Sequence, residues 1–232
     1  MHKRIVLGVA IGSVLLLVLD AVALRAGVAT GAIPKLAGTT LWVTSRAAGV
    51  TAFLALTLNV VFGLLVSTGA ADGLLPRARS VDLHRWLSAV ALTMTALHAL
   101  ALLGDRFVRF DVLDVLIPFL SPYRALPVAL GVLAAYGAAL VHASSSWRRR
   151  IGNKTWRMLH YLSFFLFAAA LLHGLLAGSD SSAPGMQALY ASAATVVGAL
   201  GIYRLVRPTR VLIQPRRTSR NEPPRRGPAA AE

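Results

Sequence analysis

Six long runs of apolar residues divide the chain, and short polar loops separate them. The hydrocarbon core of a membrane is about 30 Å thick, so a helix needs about 20 apolar residues to cross it. The runs predict spans at residues 5–24, 47–67, 83–103, 126–141, 158–176 and 187–205. We therefore predict an all-α integral membrane bundle of about six transmembrane helices.

The spans suggest an organisation in three parts: residues 1–40 with the first helix and an outer loop, residues 41–206 with the other helices, and residues 207–232 as a tail. Lys3-Arg4 before the first run and the small residues 21–23 also resemble a signal peptide. A retained helix is the preferred interpretation. The tail is rich in Pro and Arg and has almost no apolar periodicity, which predicts disorder.

The composition also indicates a membrane protein, and it excludes several kinds of metal and cofactor attachment. Hydrophobic residues make up 56% of the 232 residues and charged residues 14%, which is too apolar for an ordinary soluble domain of this length. The chain has no cysteine, which excludes disulfides, thiolate-held iron–sulfur clusters and covalently attached c-type haem. Any metal must be bound by nitrogen or oxygen ligands.

The basic residues indicate an orientation. The net charge is +15, and 18 of the 24 Lys and Arg residues fall in segments that would lie inside if the amino terminus is cytoplasmic. We therefore expect both termini in the cytoplasm. Because these residues lie in loops and a tail between apolar spans, we expect membrane lipid as the partner of this charge, and no nucleic acid.

Four of the six histidines lie on two predicted spans, and their spacing matches. His84 and His98 are fourteen residues apart, which gives a rise of about 21 Å and places them within about 40° of one helix face. His160 and His173 are thirteen apart, a rise of about 19.5 Å. In the orientation above, His84 and His160 share the inner depth, and His98 and His173 the outer depth. Two facing helices could thus clamp one haem at each depth; the alternative is buried histidines that bond neighbouring helices.

The rotation between His160 and His173 is less regular. Thirteen residues of an ideal helix leave the two rings about 140° apart around the axis. A kink, a π-bulge or helix tilt must supply the difference, or the two haems must lie on different sides of that helix.

The histidines and their flanking residues resemble those of the ferric reductase and NADPH oxidase transmembrane domain. The similar segments are residues 81–86 (VDLHRW), 95–98 (TALH), 156–161 (WRMLHY) and 172–174 (LHG). The resemblance covers roughly residues 40 to 205 and implies a haem-binding domain with two non-covalent b haems. It implies axial ligation by the inner pair His84/His160 and the outer pair His98/His173. Arg46 lies where that family has an arginine near the outer haem, and a guanidinium suits a haem propionate; a snorkelling arginine is the alternative.

The resemblance implies that the electron donor and the electron acceptor are molecules other than this chain. Longer members continue into FAD- and NADPH-binding domains, whereas 26 residues follow residue 206 here, without a Gly-rich dinucleotide fingerprint. We expect a separate flavoprotein or quinol as donor and an extracytoplasmic acceptor such as ferric iron or a redox partner protein. The size also resembles the haem-binding membrane subunit of a periplasmic methionine sulfoxide reductase system. A function of another class, a haem-free transporter or scaffold with a histidine proton relay, is a further alternative.

Overall fold

The computed structural model describes residues 40–70, 76–104 and 108–206. This part of the chain is all α, with four long helices and one short one: α1 (Thr40–Thr68), α2 (Arg77–Leu103), α3 (Val112–Leu116), α4 (Ala125–Ala177) and α5 (Pro184–Val206). The four long helices are long and apolar enough to cross a membrane. The described residues thus confirm a helical, multi-pass membrane protein, but they do not show six spans. The first predicted span and the predicted tail lie outside them.

Helix α4 is folded back on itself at Gly152. As a straight rod its 53 residues would be about 80 Å long, more than twice the thickness of a bilayer core. Gly152 has φ 80° and ψ 158°, a conformation that is essentially restricted to glycine. The arms 125–151 and 153–177 then run antiparallel, since the Arg124 side chain donates to the Leu176 carbonyl. The fourth and fifth predicted spans are therefore the two arms of α4.

Helices α1 and α2 are antiparallel and pack closely through small side chains. Ala52 and Ala55 of α1 form a buried cluster with Val90, Ala91 and Met94 of α2. Small residues let helix backbones approach within a membrane, where dispersion contacts replace the hydrophobic effect as the driving force. This close packing positions the histidines of α2 against the α1 backbone.

A second cluster joins α1 to the second arm of α4 and to α5. The Phe53 ring stacks on Phe167 with centroids 6.0 Å apart and meets the edge of Tyr190 at 5.2 Å. Both arrangements are favourable geometries for aromatic pairs. Because α1 belongs to both clusters, it is the central helix of the described bundle.

Large apolar side chains cover the outside of the bundle. Phe165, Leu205 and Leu100 are 74%, 85% and 65% exposed. A soluble surface rarely presents so much continuous apolar area, whereas lipid tails accept it. The exposed faces of the helices are therefore the surfaces that contact lipid.

We expect Gly152→Ala to lower the free energy of unfolding in detergent by about 1–3 kcal/mol, because the added Cβ disfavours the backbone conformation of the turn. A new Cβ at Gly152 would have open space, so the loss would be one of backbone conformation and not of packing.

Gly185→Ala is the matched control, since this glycine is helical and also has open space around it. It should be neutral or stabilising by up to about 1 kcal/mol. Equal thermal unfolding midpoints for the two variants would contradict the assignment of Gly152 as the turn.

Candidate functional site

Four histidines meet in two pairs inside the bundle. His84 on α2 faces His160 on the second arm of α4 with ring centroids 6.0 Å apart, and His98 faces His173 at 6.2 Å. A metal–imidazole bond is about 2.0 Å long and a ring centre lies about 1.1 Å behind its nitrogen, so one ion shared by two facing rings requires centroids about 6.2 Å apart. Both pairs therefore have a centroid spacing that allows one shared metal ion.

The second arm of α4 reaches both histidines of α2 without a local distortion. Within α4 only Gly152 has non-helical dihedrals, and residues 153–177 are α-helical throughout. The kink and the π-bulge offered by the sequence analysis are thus not found in this arm. Tilt of the arm, or placement of the rings on different sides of it, accounts for the rotation between His160 and His173.

Three of the four rings are held by backbone carbonyls, those of His84 and His98 by α1 and that of His173 by the other arm of α4. The Nδ1···O distances are 2.7 Å from His98 to Ser45, 2.9 Å from His84 to Asn59 and 2.8 Å from His173 to Pro127. A carbonyl oxygen can only accept, so each Nδ1 carries the proton and donates it. Each Nε2 then keeps its lone pair for a metal, which is the usual arrangement of a metal-binding histidine.

A glycine stands four residues after each of these carbonyls, and we call the three units glycine seats: Ser45/Gly49 for His98, Asn59/Gly63 for His84 and Pro127/Gly131 for His173. A Cβ added to Gly49, Gly63 or Gly131 would lie 2.9, 3.1 or 2.6 Å from the ring it faces. The separations at Gly49 and Gly131 are shorter than real Cβ contacts and the one at Gly63 is tighter than most, so a Cβ at any of these positions would press against the ring. The seats were not predicted from the sequence, although Gly49 and Gly63 repeat the fourteen-residue spacing of His84 and His98.

The fourth histidine, His160, has different surroundings. Its Nδ1 is buried without a hydrogen-bond partner among the described residues, as are the indole nitrogen of Trp156 and the side-chain oxygen of Asn59. The His160 ring stacks on Trp156 at 4.9 Å, and the Arg148 guanidinium covers that indole at 4.2 Å. Buried polar atoms normally find a partner, so the region of the inner pair fits a ligand with polar groups.

A cavity of about 360 Å³ lies beside the outer pair. His98 and His173 both line it, and most of the remaining lining is apolar or small. Its volume falls in the range of about 300–1,000 Å³ that is common for cofactor sites. An apolar cavity with two facing imidazoles suits a flat, largely apolar metal macrocycle such as haem.

Arg46 lies in the wall of this cavity, together with His98. Its guanidinium forms an ion pair with Asp180 and covers the Trp42 ring at 4.1 Å. The two charged side chains are 19% and 43% exposed, so the pair is partly screened by solvent. Asp180 was not predicted as the partner of Arg46 from the sequence, and contact of Arg46 with a haem propionate stays a prediction.

Comparison with protein families matches residues 48–171 to the ferric reductase like transmembrane component. The matched segment contains His84, His98 and His160, while His173 and Arg46 lie just outside it. No curated protein and no solved structure matches the chain.

A double-mutant cycle tests whether the Arg46–Asp180 pair fastens α1 to the segment before α5. Arg46→Gln and Asp180→Asn should each lower the free energy of unfolding, and the cycle should give a coupling of about 0.5–1 kcal/mol, since the pair is only partly buried. The control cycle pairs Asp180→Asn with Arg109→Gln at an exposed arginine, which should be additive. Additivity in both cycles would show that the ion pair contributes nothing to stability.

Proposed function

Because the chain belongs to the family of the ferric reductase like transmembrane component, we propose that it transfers electrons across the membrane on two non-covalent b-type haems. Membership of this family implies transmembrane electron transfer. The two-haem proposal rests on one observation: His84 lies opposite His160, and His98 lies opposite His173. In each pair the distance between the ring centroids allows one metal ion between the two rings. The two pairs lie about 21 Å apart along α2.

The histidines have the role of axial ligands in this proposal. His84 and His160 would hold one haem, and His98 and His173 the other. With both axial positions filled, each haem would supply one-electron transfer and no open iron site for substrate. Arg46 would hold a propionate from the wall of the outer cavity, with Asp180 fixing the orientation of its guanidinium.

The distribution of basic residues supports an orientation for this path. Nine Lys and Arg residues lie near the inner pair, at the start of α2, around Gly152 and at the end of α5: Arg77, Arg79, Arg85, Arg148, Arg149, Arg150, Lys154, Arg157 and Arg204. We assign this end to the cytoplasm by the positive-inside rule, which places both termini there. Counting the arms of α4 separately gives five crossings, and residues 5–24 would supply the sixth.

The direction of transfer follows from this orientation. Movement of an electron out of a negative cytoplasm is favoured by about 2.3 kcal/mol per 100 mV. We propose a separate flavoprotein or quinol as the electron donor. The cationic inner end would attract an acidic donor surface. The acceptor would be extracytoplasmic, such as ferric iron or a redox partner protein.

The purified chain should contain two haems by pyridine haemochrome assay, with a low-spin reduced spectrum. His84→Ala and His160→Ala should lose or perturb one haem, and His98→Ala and His173→Ala the other, because each variant leaves one pair short of a nitrogen. His142→Ala is the control, since this exposed histidine bonds Ser88 and belongs to neither pair. A wild-type chain without haem would instead favour a haem-free histidine relay.

Reporter fusions test the orientation separately. Fusions after Arg150 and after Arg207 should report cytoplasm, and a fusion after Asp180 should report the opposite side, because the arginine-rich segments stay inside. The inverse pattern would make the His98/His173 pair the point of electron entry.

A further inference from the structure

The three glycine seats share one geometry. In each seat, the histidine donates to a helical carbonyl, and its ring lies over the glycine four residues further along. In an α-helix, the amide of that glycine donates to the same carbonyl. A carbonyl oxygen has two lone pairs, so each seat uses both of them.

The register of α1 and α2 aligns two of the seats. Gly49 and Gly63 are fourteen residues apart on α1, as are His84 and His98 on the antiparallel α2. Fourteen residues come within about 40° of a whole number of helical turns, so both seats face the same neighbour. One helix face of α1 therefore holds a ligand of the inner pair and a ligand of the outer pair.

His160 has no glycine seat among the described residues. His160 precedes His173 by thirteen residues, and thirteen residues beyond Gly131 on the antiparallel arm comes Ser144. Ser144 is buried, and its hydroxyl donates to the Val141 carbonyl at 2.7 Å. Ser144 thus carries a side chain at the matching distance in sequence, where the other seats have a glycine, and the Nδ1 of His160 is without a partner among the described residues.

We propose that Gly49, Gly63 and Gly131 are positioning residues that fix the Nδ1 proton of three ligands, and that the missing fourth seat makes the two centres unequal. The outer pair is seated at both rings, whereas the inner pair is seated only at His84. The redox consequence of this inequality rests on the proposed function.

The expected consequence follows from ligand basicity. An imidazole that donates from Nδ1 to a carbonyl is a more basic ligand through Nε2, and a more basic ligand favours oxidised iron. The outer pair has two seated histidines and the inner pair has one. As far as these four ligands set the reduction potential, the outer centre should therefore have the lower one. His160 is the ligand whose orientation depends least on the backbone and most on its stack with Trp156.

The test exchanges each glycine for alanine and follows haem retention and reduction potential in purified protein. Gly131→Ala and Gly49→Ala should weaken haem retention at the outer centre about tenfold to a hundredfold and raise its potential, because the loss of the Nδ1 bond makes a less basic ligand. The effect of Gly131→Ala should be the larger, since its Cβ would come closer to the ring. Gly63→Ala should change the inner centre alone, and by less.

Gly198→Ala and Gly201→Ala are matched controls, because both glycines lie in α5 with open space at the Cβ position. They should leave both haems and both potentials unchanged. If wild-type protein binds two haems but Gly49→Ala and Gly131→Ala behave like these controls, the proposal is overturned while the proposed function stands.

A second measurement does not need haem. Nitrogen-15 spectra of histidine-labelled protein stripped of haem should show the Nδ1–H tautomer at His84, His98 and His173, and Gly49→Ala should shift only His98 away from it. These tautomers in a wild-type chain that never binds haem would support the seats and overturn the proposed function. The Nε2–H tautomer at all three seated histidines would overturn the seats.

Discussion

The hydrogen bond from an imidazole Nδ1 to the main chain of a neighbouring helix is the contact on which the site depends. Inside a bilayer no water is present to accept a hydrogen bond from an imidazole N–H. A histidine there therefore needs an acceptor on a neighbouring helical segment. Three histidines find one in a helical carbonyl at 2.7 to 2.9 Å. That short reach requires closely approaching backbones, which in turn requires glycine opposite the rings and small residues between α1 and α2.

The two histidine pairs have different surroundings. The outer pair combines two seated rings with an apolar cavity and the Arg46–Asp180 ion pair. The inner pair has one seated ring, an aromatic stack on the other, and buried polar atoms without partners among the described residues. The outer pair is therefore shaped mainly by backbone geometry, and the inner pair mainly by side chains next to a cationic surface.

The sequence predicted the features that depend on local geometry. Depth along a helix is set by the rise per residue, so the spacing of the histidines together with the direction of the two spans predicted which histidines lie near each other. It did not predict how the second arm of α4 turns both His160 and His173 toward α2, since tilt is set by packing between helices. The Arg46–Asp180 pair was missed because the residues are distant in sequence and Arg46 was assigned to a haem propionate and not to a carboxylate. The glycine seats were missed because glycine carries no side chain that suggests chemistry.

The use of main-chain acceptors has a consequence for how such a sequence can diverge. No substitution at residue 59 or 127 deletes the backbone oxygen that holds a histidine, so those positions can change side chain and still keep the bond. Residue 45 differs, because the buried Ser45 hydroxyl adds its own bonds to the Nδ1 and the carbonyl of His98. The restriction falls instead on the glycines four residues later, where even one methyl group meets a ring. Residues 59 and 127, which contact a histidine through the main chain, should therefore tolerate substitution, whereas the glycines, which make no polar contact through a side chain, should not.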